Sequence, residues 1–193
     1  HNRIEALPTI HTIPSCAWKL STARKKGKFN RQRAIELGLS DDETATLAAG
    51  KDLQHKGDLL LSKDFRGSEI ESLSLVISGD TSEMAPGITS LDACDLLVHE
   101  ATFLDDFSQH ADDYLHSTAS GAARTAIACG AKHLVLTHYG ARIKQTDESL
   151  NEAKVVLADS QTTLSAACDG DRILIENPNE ITHLYWHNDG WIR

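Results

Sequence analysis

The strongest constraint on this chain is a regular alternation of apolar runs and helix-like segments through its second half. Apolar runs at 73–78, 95–100 and 133–137 have the length and composition of buried strands. Segments at 117–129 and 146–159 repeat apolar residues with helical spacing. This alternation predicts an α/β fold, in which functional sites form where parallel strands end.

The predicted helix at 117–129 carries small residues on one face. Ala119, Ala122, Ala123 and Ala126 recur at the spacing of a single helical face. Because alanine side chains are short, this face predicts close packing of the helix on a sheet.

Short strands are also predicted on both sides of this central region. They lie at 4–10 and 16–20, and near 163–167, 172–175 and 181–186.

The stretch from 21 to 70 has a different, more polar character and is predicted to be an insertion. Asn30 and Ser40 are residues suited to capping short helices, and Gly38 and Gly50 are suited to ending them.

The charge balance argues against a broad nucleic-acid-binding surface. The formal charge is −9, from 28 acidic and 19 basic residues, whereas such surfaces are normally basic. Any RNA contact must therefore be local. The one basic cluster, from Arg24 to Arg33, is also well explained as a solvated loop.

Cysteine usage and hydropathy bear on the cellular compartment. The four cysteines are scattered without a Cys-x-x-Cys pair, unlike a disulfide framework or a thiolate zinc site. No apolar run approaches the roughly 20 residues of a membrane-spanning helix. We therefore expect a protein of the reducing cytoplasm that does not enter a membrane.

Five residues with reactive side chains stand at the ends of predicted strands and helices. They are His11, Asp80, Glu100, His116 and His138. Imidazoles and carboxylates at a sheet edge can bind metal ions or transfer protons. Taken singly, each is equally well explained as a turn, a cap or a solvated surface residue.

Glu100 is preferred over its neighbour His99 because consecutive strand residues point to opposite faces. A carboxylate near the sheet edge can hold an imidazole in one tautomer. His116 precedes Ser117, where a helix is expected to begin, and the helix dipole disfavours an imidazolium there. A nearby carboxylate favours it, so this histidine is suited to proton transfer.

Six short motifs occur in a fixed order along the chain. They are His11-Thr12-Ile13-Pro14-Ser15, Gly27-Lys28-Phe29-Asn30, Ser78-Gly79-Asp80-Thr81, Val98-His99-Glu100-Ala101-Thr102, His116-Ser117-Thr118 and Leu136-Thr137-His138-Tyr139-Gly140-Ala141-Arg142. As an ordered set they resemble ribonuclease Z, the tRNA 3′-processing endonuclease of the metallo-β-lactamase superfamily. The resemblance implies a metallo-β-lactamase fold, an αββα sandwich, with residues 1–193 forming its C-terminal part.

The resemblance also implies a metal centre. His11 and His138 correspond to ligands of two zinc ions, one for each ion, and Asp80 to the carboxylate that bridges them. Mixed histidine and aspartate ligation leaves Mn²⁺ as an alternative to Zn²⁺.

The same resemblance assigns residues to catalysis and substrate binding. Glu100 and His116 correspond to the catalytic pair that assists proton transfer, with His116 as the acid. Arg142 corresponds to a residue that approaches a substrate phosphate.

The chain departs from the family's pattern in three places. The family's first metal motif, His-x-His-x-Asp-His, does not occur, and we expect it upstream of His1 because the chain starts without methionine. The segment 21–70 resembles a degenerate substrate-binding arm that lacks a Gly-Pro-rich stretch. Gly140 and Ile143 replace a serine and a tyrosine, which predicts altered phosphate contacts.

The leading hypothesis is a zinc-dependent hydrolase, a homodimeric endoribonuclease that cleaves precursor tRNA at its 3′ end with metal-activated hydroxide. Its activity is expected only together with the upstream metal motif. One alternative is a hydrolase of a small phosphodiester or sulfate ester, which the acidic charge favours. Another is a catalytically inactive binding subunit or fragment without the full metal set.

Overall fold

The computed structural model describes all residues from 1 to 193. Its strands are β1 (Arg3–Pro8), β2 (Cys16–Ser21), β3 (Leu53–His55), β4 (Asp58–Leu60), β5 (Ser74–Ile77), β6 (Cys94–Glu100), β7 (Ala131–Thr137), β8 (Thr163–Ala166), β9 (Arg172–Asn177), β10 (Glu180–His187) and β11 (Gly190–Ile192). Its helices are α1 (Arg31–Glu36), α2 (Asp41–Ala48), α3 (Pro86–Thr89), α4 (Ser108–Tyr114), α5 (Ala119–Ala128) and α6 (Thr146–Val156). None of these helices combines the length and the apolar character that crossing a bilayer requires.

Six strands form one mixed sheet in the order β1-β2-β5-β6-β7-β8. The pairs β1–β2 and β2–β5 are antiparallel, whereas β5 to β8 pair in parallel. The carboxyl ends of β5, β6 and β7 therefore meet at one edge, together with the loop from β1 to β2. A second sheet contains β9 to β11, and β3 pairs with β4 as a hairpin.

Helix α5 packs its small face against the large sheet. Ala119, Ala122, Ala123 and Ala126 are fully buried in the same apolar cluster as Leu97 of β6. The short side chains allow the helix to approach the sheet closely. The close packing expected from the alanine spacing is therefore confirmed.

The opposite face of the sheet is apolar but partly exposed along β1, β2 and β5. The strand register places Ala6, Trp18 and Ile77 in one row across this face, with Ile4 beside Leu20. Ile4 is 67% exposed and Trp18 48% exposed. An apolar sheet face of this kind is typical of a surface that packs against another layer.

Residues Arg24–Ser72 form a compact unit of their own, distinct from the unit made of His1–Ala23 and Leu73–Arg193. The smaller unit has a core of three fully or almost fully buried side chains, Ala34, Leu47 and Phe65.

The two helices of the smaller unit begin where the sequence predicted. Asn30 caps α1 by accepting a hydrogen bond from the Arg33 backbone N–H at 3.0 Å. Ser40 caps α2 in a capping box with Glu43. The β3–β4 hairpin was not predicted, because strands of three residues are too short to show alternation.

Helix α5 begins two residues later than predicted. Its N-cap is Thr118, whose Oγ1 accepts from the Gly121 backbone N–H at 3.0 Å. Ser117 stays outside the helix because its backbone N–H donates to Glu100 and its hydroxyl donates to the Thr81 carbonyl. The prediction that the helix starts at Ser117 was therefore wrong, since tertiary partners bind both groups.

Replacing Ala123 with leucine tests the close packing of α5. Ala123 is fully buried, so the larger side chain must displace its neighbours, and we expect the free energy of unfolding to fall by ~1–3 kcal/mol. The control is Ala128→Leu at an exposed position of the same helix, where a change below about 0.5 kcal/mol is expected. Equal effects of both variants in urea unfolding would contradict the packing described.

The buried ring of His133 on β7 predicts a pH-dependent stability. Its Nδ1 lies 2.6 Å from Thr163 Oγ1 and its Nε2 lies 2.9 Å from Ser165 Oγ. Burial, aided by the nearby His183, lowers the pKa of His133 from 6.5 to about 4. The unfolded chain therefore binds a proton here at a higher pH than the folded chain does. The free energy of unfolding should consequently fall as the pH decreases from about 6.5 to 4.

The variant His133→Gln removes this proton uptake while keeping a hydrogen-bonding side chain. Over the same pH range, its unfolding free energy measured in guanidinium should depend less steeply on pH than that of the unaltered protein. Identical slopes for the two proteins would show that His133 does not titrate as described.

Candidate functional site

Reactive side chains gather at the edge of the sheet where β5, β6 and β7 end. Asp80 follows β5, Glu100 is the last residue of β6, and His138 directly follows β7. His11 lies in the loop between β1 and β2. Parallel pairing of neighbouring strands is thus what brings together residues that lie far apart in sequence.

The turn that carries Asp80 depends on Gly79. This glycine has a φ of +61°, and a Cβ atom there would lie 3.2 Å from the Cys16 carbonyl oxygen. The Ser15 hydroxyl donates to the Asp80 carbonyl oxygen at 3.0 Å. The turn is therefore fixed against the loop that also carries His11.

The carboxylate of Glu100 lies at the centre of the site and is 1% exposed. Its Oε1 accepts hydrogen bonds from the Thr81 backbone N–H at 2.7 Å and from His116 Nδ1 at 2.8 Å. Its Oε2 accepts from the Ser117 backbone N–H at 3.1 Å and from the Thr102 hydroxyl. An ionised carboxylate only accepts, so His116 carries a hydrogen on Nδ1 and Nε2 is its free ring nitrogen.

A backbone carbonyl orients the ring of His11. Its Nδ1 lies 3.0 Å from the Leu115 carbonyl oxygen and donates to it, which leaves a lone pair on Nε2 of the neutral ring. Leu115 ends α4 in the left-handed region, at φ +55°, a conformation that is rare for residues other than glycine. The ring of His11 packs edge-on against His116, with centroids 4.8 Å apart.

His138 lies between Asp80 and Thr102. Its Nε2 is 3.6 Å from Asp80 Oδ1, and its Nδ1 is 2.9 Å from Thr102 Oγ1. Its ring stacks on that of His116 with centroids 5.6 Å apart. Like Leu115, His138 has a left-handed backbone, at φ +55°.

Two groups of possible metal-binding atoms overlap at this edge. One contains His11, Asp80 and His116, and the other contains Glu100, His116 and His138. Within each group, one ligand atom per residue lies within 4.8 Å of the others. Imidazole nitrogens and carboxylate oxygens in this arrangement fit the donors that Zn²⁺ and Mn²⁺ accept.

His116 has a more central position than the sequence indicated. The three expected ligands, His11, Asp80 and His138, all lie at this edge, with Asp80 within reach of both histidines. His116, expected as a proton donor, is common to both groups of possible ligand atoms.

Arg142 contacts an aromatic ring rather than the cluster. Its guanidinium carbon lies 5.1 Å from the centroid of the Phe107 ring. The side chain is exposed, and no ion pair or hydrogen bond forms to its guanidinium.

His99 lies on the other face of β6 and is fully buried. Its Nδ1 donates to the Glu100 carbonyl oxygen at 2.8 Å, and burial lowers the pKa of the ring. Glu100 is thus the residue of this pair that reaches the cluster, as the alternation of strand residues predicted.

Four contributors to the site were not predicted: Thr102 and the backbone groups of Thr81, Leu115 and Ser117. Thr102 lies two residues beyond Glu100, and residues so spaced in an extended chain share a face, which is a signal that could have identified it. Thr81, Leu115 and Ser117 act through backbone groups, which no pattern of side chains indicates.

The chain is similar to curated ribonuclease Z proteins. It is 34% identical over 158 residues to Ribonuclease Z of Ignicoccus hospitalis, a match that covers 82% of this chain and 52% of that protein. It is 32% identical over 180 residues to Ribonuclease Z of Haloarcula marismortui, covering 92% of this chain and 54% of that protein. The chain therefore spans about half the length of the curated relatives it matches. No protein-family model matches the chain.

A solved structure shares its fold. The metallo-β-lactamase fold protein YhfI from Bacillus subtilis matches with a TM-score of 0.53 and 19% identity, covering 94% of this chain and 49% of that chain. At this identity the likeness concerns the fold alone. It confirms the α/β, metallo-β-lactamase fold expected from the sequence. Residues 1–193 contain one large sheet of this fold and the helices that pack on it.

The variant Glu100→Gln tests the central carboxylate. An amide NH₂ in place of one oxygen would face donors instead of accepting from them, so we expect the free energy of unfolding to fall by ~1–3 kcal/mol. Glu176→Gln, the same change at an exposed position of β9, is the control and should cost less than about 0.5 kcal/mol. Similar stability of both variants in urea unfolding would mean that the hydrogen-bond donors around Glu100 do not require a negatively charged acceptor.

Proposed function

Because this chain belongs to the ribonuclease Z family of the metallo-β-lactamase superfamily, we propose that it forms part of a metal-dependent endoribonuclease that cleaves precursor tRNA at its 3′ end. The observation that carries the proposal is the convergence of His11, Asp80 and His138 with the Glu100–His116 pair at one sheet edge. Hydrolysis of a phosphodiester needs an activated water and a proton for the leaving oxygen, and these two sets of residues suit those two tasks.

His11, Asp80 and His138 would hold the metal ions, with Asp80 between the two histidines. The lone pair on His11 Nε2 and the short distance between Asp80 and His138 support this assignment. When bound, such ions supply a nucleophilic hydroxide at neutral pH and neutralise charge at the phosphate. We assign two Zn²⁺ ions because imidazole suits zinc, with Mn²⁺ as the alternative.

Glu100 and His116 would transfer the proton to the leaving oxygen. The buried carboxylate accepts the Nδ1–H of His116 at 2.8 Å and so fixes the orientation of the ring. Its negative charge also stabilises the ring when Nε2 is protonated. His116 can then give the Nε2 proton to the departing 3′ oxygen and regain one from water.

Arg142 and the unit Arg24–Ser72 would contact the RNA. Arg142 is exposed and free to approach a phosphate. In the smaller unit, Lys26, Lys63 and Arg66 line one surface depression, which also includes a glutamate. This is a local concentration of positive charge in a chain of net charge −9, as binding a phosphate backbone would require. We therefore interpret this unit as the substrate-binding arm.

The remainder of the site would come from outside this chain. Three ligands are fewer than two zinc ions require, and the chain spans about half the length of its relatives. We interpret residues 1–193 as the C-terminal part of the domain, with the partly exposed apolar face of β1, β2 and β5 packing on the second sheet of the αββα sandwich. We further propose that the protein is a homodimer and that it acts in the cytoplasm.

A second candidate function is hydrolysis of a small phosphodiester or sulfate ester at the same site. The net charge of −9 favours it, because a small ester needs no extended basic surface. Parallel assays with precursor tRNA and a chromogenic diester separate the two functions, since a small-ester hydrolase would cleave only the latter.

The variant His116→Ala tests the proposed acid. We expect cleavage of precursor tRNA to slow by ~10²–10⁴-fold, because the leaving oxygen would depart without a proton. Zinc content measured on the same sample should stay unchanged, which separates the acid role from a ligand role. His187→Ala, at an exposed position of β10, is the control and should cleave at the unaltered rate. Cleavage by His116→Ala within a few-fold of this control would refute the assignment.

A further inference from the structure

The hydroxyl of Thr102 connects the central carboxylate to a histidine of the proposed metal site. Thr102 Oγ1 is hydrogen-bonded to Glu100 Oε2 and lies 2.9 Å from His138 Nδ1. It also lies 3.3 Å from His116 Nδ1 and 3.2 Å from the His138 carbonyl oxygen. One hydroxyl group thus touches three side chains of the site.

The single hydrogen of this hydroxyl settles the direction of the bonds. Ionised Glu100 can only accept, so Thr102 donates its hydrogen to Oε2. Toward His138 Nδ1 the hydroxyl must then accept, which requires that Nδ1 carries a hydrogen. A neutral imidazole has only one N–H, so His138 Nε2 keeps its lone pair, 3.6 Å from Asp80 Oδ1.

The backbone conformation of His138 explains why its side chain needs the contact with Thr102. The residue lies just beyond β7 with a φ of +55°, so the regular geometry of the strand does not direct its side chain. Thr102 Oγ1 accepts from the His138 ring, whereas its contact with the His138 carbonyl oxygen is not a hydrogen bond, because the hydroxyl hydrogen goes to Glu100. The hydrogen bond to Nδ1 can therefore orient the ring as well as fix its tautomer.

We propose that Thr102 is a positioning residue, which holds His138 with Nδ1 protonated and Nε2 free for a divalent cation and connects the ring to the charge of Glu100. The proposal rests on the proposed function in assigning His138 to the metal. Histidine ligands commonly donate their second ring N–H to a carboxylate or carbonyl acceptor, and losing that acceptor typically weakens metal binding by ~10–100-fold. Here a hydroxyl stands between the histidine and the carboxylate.

Two substitutions separate the hydroxyl from the shape of the side chain. Thr102→Val keeps the branched shape and removes the hydroxyl, whereas Thr102→Ser keeps the hydroxyl and removes a methyl group. Thr182→Val makes the same chemical change on β10, where no side-chain hydrogen bond involves the threonine, and serves as the matched control.

The first measurement is zinc affinity, determined by competition with a chromogenic chelator on the protein purified at the length that its gene encodes. We expect Thr102→Val to bind zinc ~10–100-fold more weakly, with Thr102→Ser within ~3-fold of the unaltered protein. Thr182→Val should bind like the unaltered protein. Equal affinities for Thr102→Val and the control, or an equal loss in Thr102→Ser and Thr102→Val, would overturn the proposal.

The second measurement is the tautomer of His138, observed by ¹⁵N NMR in metal-free protein at a pH where histidine is neutral. We expect the hydrogen on Nδ1 in the unaltered protein and in Thr102→Ser, and a shift toward Nε2 in Thr102→Val. An unchanged tautomer in Thr102→Val would overturn the proposal. A protein that binds no zinc at all would refute the proposed function, while the tautomer would still decide the role of Thr102.

Discussion

The buried negative charge of Glu100 is the constraint on which the rest of the site depends. A carboxylate removed from water is strongly destabilising unless hydrogen bonds replace its hydration. Five groups supply them: the backbone N–H groups of Thr81, Thr102 and Ser117, the Thr102 hydroxyl and His116 Nδ1. These donors come from three separate parts of the chain, so satisfying one charge fixes the positions of three loops at the sheet edge.

The fold explains why those loops meet there. Parallel pairing of β5, β6 and β7 places their carboxyl ends side by side, and α5 packs closely enough on the sheet to bring the residues before it to the same edge. Two residues at this edge, Leu115 and His138, have left-handed backbone conformations, which are unfavourable for residues other than glycine. Such conformations persist where the surroundings determine them strongly, and they are concentrated at functional sites. At this edge, the Leu115 carbonyl binds His11, and His138 binds Thr102.

The sequence predicted the residues at the strand ends and the pairing of Glu100 with His116, but not the other groups that orient these side chains. The apolar runs before Asp80, Glu100 and His138 indicate buried strands, and side chains that follow such strands lie at an edge. The hydrogen bond from His11 to the Leu115 carbonyl joins residues 104 positions apart, and a backbone acceptor has no side-chain pattern to reveal it. The start of α5 was misplaced for the same reason, because the hydrogen bonds of Ser117 to distant partners are absent from any local signal.

We propose that this sheet edge is one side of a divalent-metal centre. X-ray diffraction on zinc-loaded crystals of the protein, recorded on both sides of the zinc absorption edge, tests it most directly. We expect anomalous difference peaks within bonding distance of His11 Nε2, His138 Nε2 and the Asp80 carboxylate. Zinc peaks located only at other histidines, or none at this edge in fully zinc-loaded protein, would contradict it.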